Sequence, residues 1–470
     1  EQWTLTSVDG TFGLPSMLMK TILGGGNPAY GLPTFLAFSP AQVAGINATT
    51  VVPGTGGLTL DQLAAATGGA LDYRFQVGVE GSTMWSQMAR VGEYRQDSNA
   101  KAAFYQGTWN LTDSVTFTAG ARYTEETKRA HAQTYNTSSY NGVTTPDANP
   151  LLGALSGALF SIYDHSFDED RGTHQFIPSM NLEWARSEDS MLYLSYSEGF
   201  KSGGFNSTDS QLPLFTADGP QANIPGPGFE YEDENAESWE IGGKHTLMDG
   251  SMTLNWAYYD SVYKNQQVST FVGLGFVVTN AASASVSGLE VDMQWQATDH
   301  LRLGTSLALN DGKYDDFPGA GCTAAQQSDL AVGASSGTCV AEFGADGTRI
   351  GISQNLAGGQ IGNDYNGSIN IDYTRSVFGS LAWSTGVDFQ FTDGFFMTGD
   401  LDPIDYESGF TKTNIRTGVA GENWSVMLYG KNVFDKVTPQ GAFDIPLASG
   451  SHAQYVLPGA IWGATLNYSF

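Results

Sequence analysis

Many separate stretches of this chain alternate between apolar and polar side chains, and this period of two constrains the fold more than any other feature. In 115–123, 252–259 and 289–296, apolar side chains occupy every second position and mostly polar or small residues lie between them. The same pattern recurs in 301–310, 368–373, 381–392, 424–431 and 462–470. Successive side chains of a β-strand point to opposite faces, so the pattern predicts long strands with one apolar and one polar face.

Two kinds of connection alternate between these strands. Short turns follow every second strand, and long polar segments follow the others, at 134–172, 204–230, 316–358 and 438–453. This alternation is typical of outer-membrane barrels, with short periplasmic turns and long extracellular loops. We therefore predict an all-β fold, a transmembrane antiparallel up-and-down β-barrel. About fifteen strands are predicted, at 2–8, 11–20, 98–111, 114–133, 173–186, 189–203, 231–247, 251–270, 278–297, 300–315, 359–374, 380–396, 407–420, 424–437 and 454–470.

The alternative all-β folds are a soluble propeller and a soluble β-sandwich. A propeller repeats a motif at a fixed period, and the sequence has no such repeat. A sandwich uses shorter strands and buries their apolar face. Here aromatic residues lie on the apolar face near strand ends, as in a membrane-interface girdle: Tyr123, Tyr258, Trp295, Tyr373, Trp462 and Tyr468. The opposite face carries Arg, Asp, Glu, Gln and Asn, which suit a water-filled lumen better than a packed core.

Charge and motifs exclude several functions. The chain has 49 acidic and 21 basic residues, a net charge of −28, which disfavours binding to nucleic acid. It contains no GxSxG, HExxH or CxxC motif, so we predict no enzyme activity, catalytic residue, metal site or cofactor. The acidic clusters at 163–171 and 230–237 leave two interpretations open. They bind hard cations, or they are solvated loops that face lipopolysaccharide across divalent ions.

Cys322 and Cys339, the two cysteines of the chain, lie in one small-residue segment, "GCTAAQQSDLAVGASSGTC". No other cysteine competes as a partner, so we predict a disulfide between them and an oxidising compartment. At the chain's end, apolar residues share one face of the last strand: Trp462, Ala464, Leu466, Tyr468 and Phe470. This ending resembles the insertion signal of bacterial outer-membrane proteins.

Four ordered stretches carry a more specific resemblance. They are "SMNLEWARSEDSMLYLSYSEGFKSGGFN", "ENAESWEIGGKHTLMDGSMTLNWAYYDSVYKNQQV", "VVTNAASASVSGLEVDMQWQATDHLRLGTSLALNDGKYDD" and "WSVMLYGKNVFDKV". Over about 98–470 the chain resembles the barrel of TonB-dependent outer-membrane receptors. The resemblance implies TonB-coupled active uptake of a scarce nutrient across the bacterial outer membrane. A ferric siderophore is the expected cargo, with cobalamin or an oligosaccharide as alternatives, and a passive porin-like channel is the alternative function.

The resemblance also implies partners and a ligand-facing rim. The expected partners are outer-membrane lipid and lipopolysaccharide, the TonB system and a small-molecule ligand. The candidate rim residues are Phe200, Lys201, Phe205, Tyr231 and Phe271.

A complete receptor of this family adds an N-terminal plug domain and has 22 barrel strands. No plug is recognisable here, so we expect 1–470 to be the C-terminal part of a barrel, completed by a longer polypeptide or by other chains. Within it, 98–470 holds the clear strands. Residues 21–97 are predicted to be a long external loop or insertion, with a second domain as the alternative. Short amphipathic helices are predicted at 58–72 and 151–164.

Overall fold

Antiparallel strands dominate the structure, which is a computed structural model. It describes residues 2–8, 40–49, 51, 56–69, 74, 89–137, 164–207, 213–216, 219–226, 228–272, 275–343, 349–445 and 450–470. The strands are β1 Gln2–Val8, β2 Ala89–Asn110, β3 Val115–Thr137, β4 His165–Ser187, β5 Ser190–Lys201, β6 Gly204–Phe205, β7 Pro213–Thr216, β8 Gly219–Pro225, β9 Glu230–Tyr231, β10 Glu234–Leu247, β11 Met252–Val272, β12 Gly275–Gln296, β13 Leu301–Asp316, β14 Val340–Phe343, β15 Arg349–Ser353, β16 Tyr365–Val377, β17 Leu381–Thr392, β18 Phe395–Phe396, β19 Tyr406–Glu407, β20 Phe410–Ala420, β21 Trp424–Lys431, β22 Pro439–Asp444, β23 His452–Val456 and β24 Ile461–Tyr468. The helices are α1 Pro40–Thr49, α2 Leu60–Ala66, α3 Ala324–Ala331 and a 3₁₀ turn, Pro403–Asp405. None of the helices in these ranges is long and apolar enough to cross a membrane.

Fourteen of the described strands form one antiparallel sheet in up-and-down order. Its order is β1-β2-β3-β4-β5-β10-β11-β12-β13-β16-β17-β20-β21-β24. These strands overlap fourteen of the fifteen predicted from the sequence, and the remaining one, 11–20, lies outside the described residues. The other described strands pair in five small hairpin-like sheets within the long connections: β6 with β9, β7 with β8, β14 with β15, β18 with β19, and β22 with β23.

The two ends of the sheet differ as predicted. Short turns such as 111–114, 248–251 and 297–300 lie at one end, and the long connections lie at the other. β2, β3 and β4 contain 22, 23 and 23 residues, about twice the length that a tilted strand needs to span a bilayer. They therefore extend well beyond the membrane at the long-loop end. β2 accordingly begins at Ala89, nine residues before the start at residue 98 that the sequence pattern predicted.

Strand register joins the apolar positions into one continuous belt. Phe117 of β3 lies opposite Trp109 of β2 and Leu182 of β4, and residues directly opposite each other share a face. The same face continues through Ile241, Tyr258, Leu289, Leu309, Ile371, Val387, Ile415, Leu428 and Leu466. Many of these side chains are exposed, as expected of a surface that meets lipid.

The opposite, inner face of the sheet carries hydrogen-bonded polar groups. Tyr259 Oη donates to Asn310 Oδ1 at 2.8 Å, and Arg416 Nη1 donates to Asp388 Oδ2 at 2.6 Å. Arg416 also pairs with Asp372, so three neighbouring strands are joined by one guanidinium group. These pairs lie on the face that alternation assigned to the lumen.

The buried core lies at the long-loop end, on the inner face. One cluster contains Tyr94, Ala130, Phe167, Phe205 and Phe229. A second contains Ala282, Phe317 and Ala320, with Val268, Tyr314 and Leu356 packed against it. The strand residues of the first cluster occupy the alternate positions that lie on the polar, inner face. The β5–β10 and β13–β16 connections therefore fold inward over the sheet. Of the two predicted loop helices, the one in 58–72 is present as α2, and 151–163 lies outside the described residues.

Candidate functional site

The segment that follows β5 turns inward and pairs with the segment that precedes β10. Gly204 lies opposite Tyr231, and Phe205 lies opposite Glu230, in the small β6–β9 sheet. We call residues 202–207 and 228–233 together the loop anchor. Lys128 of β3 donates from Nζ to Gly203 O at 2.6 Å, which ties the anchor to the inner face.

Asp233 is the polar centre of the loop anchor. Its Oδ1 accepts hydrogen bonds from Gly203 N at 2.7 Å, Arg171 Nη2 at 2.8 Å and Thr173 Oγ1 at 3.0 Å. Its Oδ2 accepts one from Gln175 Nε2 at 3.1 Å. One carboxylate therefore joins the anchor to three side chains of β4.

Burial and hydrogen bonding have opposite effects on the pKa of this carboxylate. Burial alone would raise the pKa of Asp233, whose side chain is 14% exposed. The Gly203 N–H and the donors on β4 outweigh burial, so the pKa of Asp233 lies below its ordinary value. Arg171, 12% exposed, also donates from Nη1 to Glu230 Oε1 at 2.5 Å. Two carboxylates of the anchor, Glu230 and Asp233, thus hold one shielded cation of β4.

Two glycines allow the close approach of the anchor's segments. A Cβ at Gly203 would overlap the carbonyl oxygen of Tyr231 and lie 2.7 Å from Arg171 Cζ. A Cβ at Gly204 would lie 2.8 Å from Tyr231 Oη. Gly203 is therefore explained by close contact with the Tyr231 backbone, and Gly204 by close contact with the Tyr231 side chain.

Aromatic packing buries the apolar side of the anchor. The Phe205 and Phe229 rings lie 5.4 Å apart, and Phe229 meets Phe167 edge-on at 5.3 Å. Tyr94 Oη donates to Phe205 O at 3.3 Å. Phe167 and Phe229 are fully buried. The anchor is thus packed against β2, β3 and β4.

Side-chain amides attach the anchor to β12, and no role was predicted for these residues. Asn206 Nδ2 donates to Gly228 O at 2.7 Å and to Val278 O at 2.8 Å, while Asn206 Oδ1 accepts from Val278 N. Asn280 Oδ1 accepts from Glu232 N at 2.6 Å, and its Nδ2 donates to Glu232 O. Asn206 and Asn280 lie inside stretches that resemble the receptor family, and this resemblance was the only feature of the sequence that pointed to them.

The five candidate rim residues separate into different environments. Lys201 is exposed on the inner face at the end of β5, and Tyr231 is half-buried within the anchor. Phe200 is half-buried on the opposite face from Lys201. Phe205 is 4% exposed, so its ring is a packing anchor and not a ligand-facing side chain. Phe271 lies in β11, and its side chain is outside the described residues.

The second inward-folded connection contains the disulfide. Cys322 and Cys339 are bonded, with Cα atoms 5.8 Å apart, around α3. Gln354, 3% exposed, supports this loop by donating to Gly321 O at 2.6 Å and accepting from Thr338 Oγ1 at 2.9 Å. The sequence did not single out Gln354, because its partners are distant along the chain.

Other predicted residues have simpler surroundings. Many residues of the two acidic clusters form ion pairs: Asp168 with His131, Asp170 with Arg129, and Glu237 with Lys264. In the described ranges, no group of three His, Cys, Asp or Glu side chains could hold a metal ion. At the chain's end, the predicted insertion-signal residues are all exposed on β24 or just after it: Trp462, Leu466, Tyr468 and Phe470.

An antiparallel sheet with an apolar outer belt, a polar inner face and inward-folded loops at one end defines an outer-membrane β-barrel. The model of the family "TonB dependent receptor-like, beta-barrel" matches residues 19–433, and the chain belongs to this family of TonB-dependent receptors. The protein is therefore an outer-membrane protein, from a family of transporters and not of enzymes.

Solved structures support the fold. The ferric yersiniabactin uptake receptor FyuA from Yersinia pestis matches with a TM-score of 0.57 and 13% identity, over 82% of this chain and 47% of that receptor. The siderophore receptor PiuA from Acinetobacter baumannii matches with a TM-score of 0.51 and 13% identity, over 81% of this chain and 44% of that receptor. The chain spans slightly under half the length of these two receptors.

Proposed function

We propose that this chain forms the barrel part of a receptor for TonB-coupled active uptake of a scarce nutrient, most simply an iron chelate. The observation that carries the proposal is the loop anchor, in which a long external connection is fixed to the inner face by Asp233 and Arg171. A receptor that captures ligand before transport needs its external connections held in place.

The loop anchor supports uptake by fixing the base of the β5–β10 connection. Hydrogen bonds from β3, β4 and β12 hold residues 202–207 and 228–233. Between them, β7 and β8 form a hairpin, and β8 packs against β4. We infer that ligand is contacted by this distal part and by exposed rim residues such as Lys201.

Iron chelates are the favoured cargo class because two structural neighbours with TM-scores above 0.5 are described as a ferric yersiniabactin uptake receptor and a siderophore receptor. The proposed partners are the small-molecule ligand and TonB, which would act through a plug domain. Cobalamin and oligosaccharides are the alternative cargoes. No resident cofactor is proposed.

Uptake by the full-length protein, expressed in a strain without other iron receptors, tests the proposal. The probes are ⁵⁵Fe-labelled catecholate, hydroxamate and phenolate chelates, with cobalamin and maltooligosaccharides as separate probes. We expect accumulation of one iron chelate in cells with functional TonB and background accumulation without it.

Equal uptake with and without TonB would contradict coupling, as would steady conductance of the purified protein in a planar bilayer. TonB-dependent uptake of cobalamin or an oligosaccharide alone would contradict the iron assignment while leaving coupling intact.

A further inference from the structure

Neighbouring long connections touch each other at the long-loop end of the sheet. The β13–β16 and β17–β20 connections meet where Gln360 Nε2 donates to Gly394 O at 3.4 Å. At the adjacent Gly359, an added Cβ would overlap Leu401 Cδ1, so the Leu401 side chain lies directly against the Gly359 backbone. These two connections therefore pack against each other.

The β21–β24 connection contacts both of them. An added Cβ at Gly450, just before β23, would lie 3.9 Å from Ala324 Cβ at the start of α3, which is van der Waals distance. Two residues later, His452 Nδ1 donates to Asp405 Oδ2 of the β17–β20 connection at 2.9 Å. Each of the three connections thus contacts the other two.

His452 lies between two carboxylates at a site that is almost closed to water. Its Nε2 is 4.0 Å from Asp402 Oδ2, and the side chains of His452, Asp402 and Asp405 are 9%, 5% and 0% exposed. Backbone hydrogen bonds fix both carboxylates in the 3₁₀ turn. Asp402 Oδ1 accepts from Ile404 N at 2.9 Å, and Asp405 N donates to Asp402 O at 3.0 Å. The β17–β20 connection therefore presents two fixed carboxylates to one imidazole of the β21–β24 connection.

The buried carboxylate of Asp405 depends on this contact. Its Oδ1 is buried and accepts no hydrogen bond within the described part of the chain, so the bond from His452 to Oδ2 compensates it. A buried carboxylate that loses its partner is costly. The contact exists only while both connections are in place, so it stabilises each of them by the same free energy. Movement of one connection therefore destabilises the other.

We propose that the His452–Asp405 pair is a latch that makes the β17–β20 and β21–β24 connections open and close as one unit, with the β13–β16 connection packed against both. The loop anchor is held by other residues, on β3, β4 and β12. The long-loop end therefore has a fixed side at the β5–β10 connection and a latched side formed by the other three. The latch follows from these contacts and is independent of which ligand the barrel takes.

Hydrogen exchange of the purified full-length protein, measured by mass spectrometry, tests the latch. Met397 N donates to Asp405 O at 3.0 Å on one connection, and Ile445 N donates to Ser451 O at 2.8 Å on the other, so peptides with these amides report each side. His452→Gln and Asp405→Asn each remove one partner. We expect either variant to exchange about tenfold faster or more on both connections, because a buried polar partner is lost.

His131→Gln is the matched control. His131 Nδ1 lies 2.8 Å from Asp168 Oδ1, but both side chains are exposed, so the pair contributes little and is far from the latch. This control should exchange like the parent on both connections. Unchanged exchange in the latch variants would overturn the proposal, as would acceleration confined to the connection that carries the substitution. Equal acceleration at 202–207 of the loop anchor would overturn it too, because the whole long-loop end would then be loosened.

The double variant His452→Gln/Asp405→Asn provides a second test that does not depend on the size of the effect. Each single substitution already breaks the shared contact, so the double variant should exchange no faster than the faster single variant. Effects that multiply in the double variant would show that the two residues act independently and would contradict the latch. Heat-modifiable gel mobility verifies that each variant forms the barrel.

Discussion

The carboxylate of Asp233 accepts a hydrogen bond from the N–H of Gly203 at 2.7 Å, which joins two chain segments thirty residues apart. Everything between them belongs to the connection after β5. One of the contacts that fix its base therefore joins the residue before β10 to the turn after β5. The same carboxylate binds Arg171, so the connection is fixed to the sheet as well as to itself.

The first prediction concerns Gly203. A Gly203→Ala substitution places a methyl group against the Tyr231 carbonyl and beside Arg171, so the segments must separate. Strain of this kind costs about 1–3 kcal/mol. We expect faster hydrogen exchange at residues 202–207 and faster proteolysis of the β5–β10 connection, with the barrel still formed. Gly199→Ala is the control, since a Cβ there meets nothing within 4 Å. Equal behaviour of both variants would contradict the tight contact.

The second prediction concerns pH. The folded pKa of Asp233 is lowered, because hydrogen bonds from Gly203 and β4 outweigh the effect of burial. A carboxyl with a lowered folded pKa stabilises the fold above its unfolded pKa of about 3.9, and this contribution is lost as the pH falls through the lower folded value. Protection of 202–207, corrected for intrinsic exchange rates, should therefore fall below about pH 4.

Asp233→Asn separates this effect from general acid unfolding. The variant should lose protection of 202–207 already at pH 7, and its protection should change less between pH 5 and pH 3. Asp311→Asn removes a carboxylate from an exposed pair with Lys313 and should leave the protection of 202–207 unchanged. The same acid-induced loss in parent and Asp233→Asn would refute the assignment to Asp233.

Strand positions were predictable because alternation is a local signal. Each strand shows its apolar face in its own residues, such as Val115, Phe117 and Tyr123. The signal fails beyond the membrane, where both faces of a strand are polar. The acidic segment 163–171 was therefore assigned to a loop, although β4 begins at His165.

The loop anchor was not predictable because its contacts are distant in sequence. Asp233 is one of several acids in 230–237, and only its approach to Arg171, 62 residues away, distinguishes it. Phe205 was expected to face a ligand because its motif follows a strand at the rim. The chain instead turns inward after Gly203, and the ring packs against Phe229.

The third prediction concerns the disulfide. Cys322 and Cys339 are 17 residues apart, and a crosslink over a loop of this length removes about 3 kcal/mol of unfolded-state entropy. A Cys322→Ala/Cys339→Ala variant should show faster proteolysis within 322–339 but unchanged exchange in β13 and β16. The contacts of Gln354 with Gly321 and Thr338 should retain the base of the loop. Alkylation of two free thiols in protein taken from outer membranes would contradict the bond.

The fourth prediction tests which end of the sheet faces the outside. Val332 follows α3 in the β13–β16 connection and is 80% exposed, while Phe378 lies in the short turn between β16 and β17 and is 93% exposed. In a Cys322→Ala/Cys339→Ala background, Val332→Cys should react with a membrane-impermeant maleimide on intact cells. Phe378→Cys, equally accessible but at the short-turn end, should react only after the outer membrane is permeabilised. The two positions lie at opposite ends of the sheet, and both side chains are exposed. The opposite labelling pattern would therefore mean that the short turns face the outside. Labelling of both positions on intact cells would show that the strands do not separate two compartments.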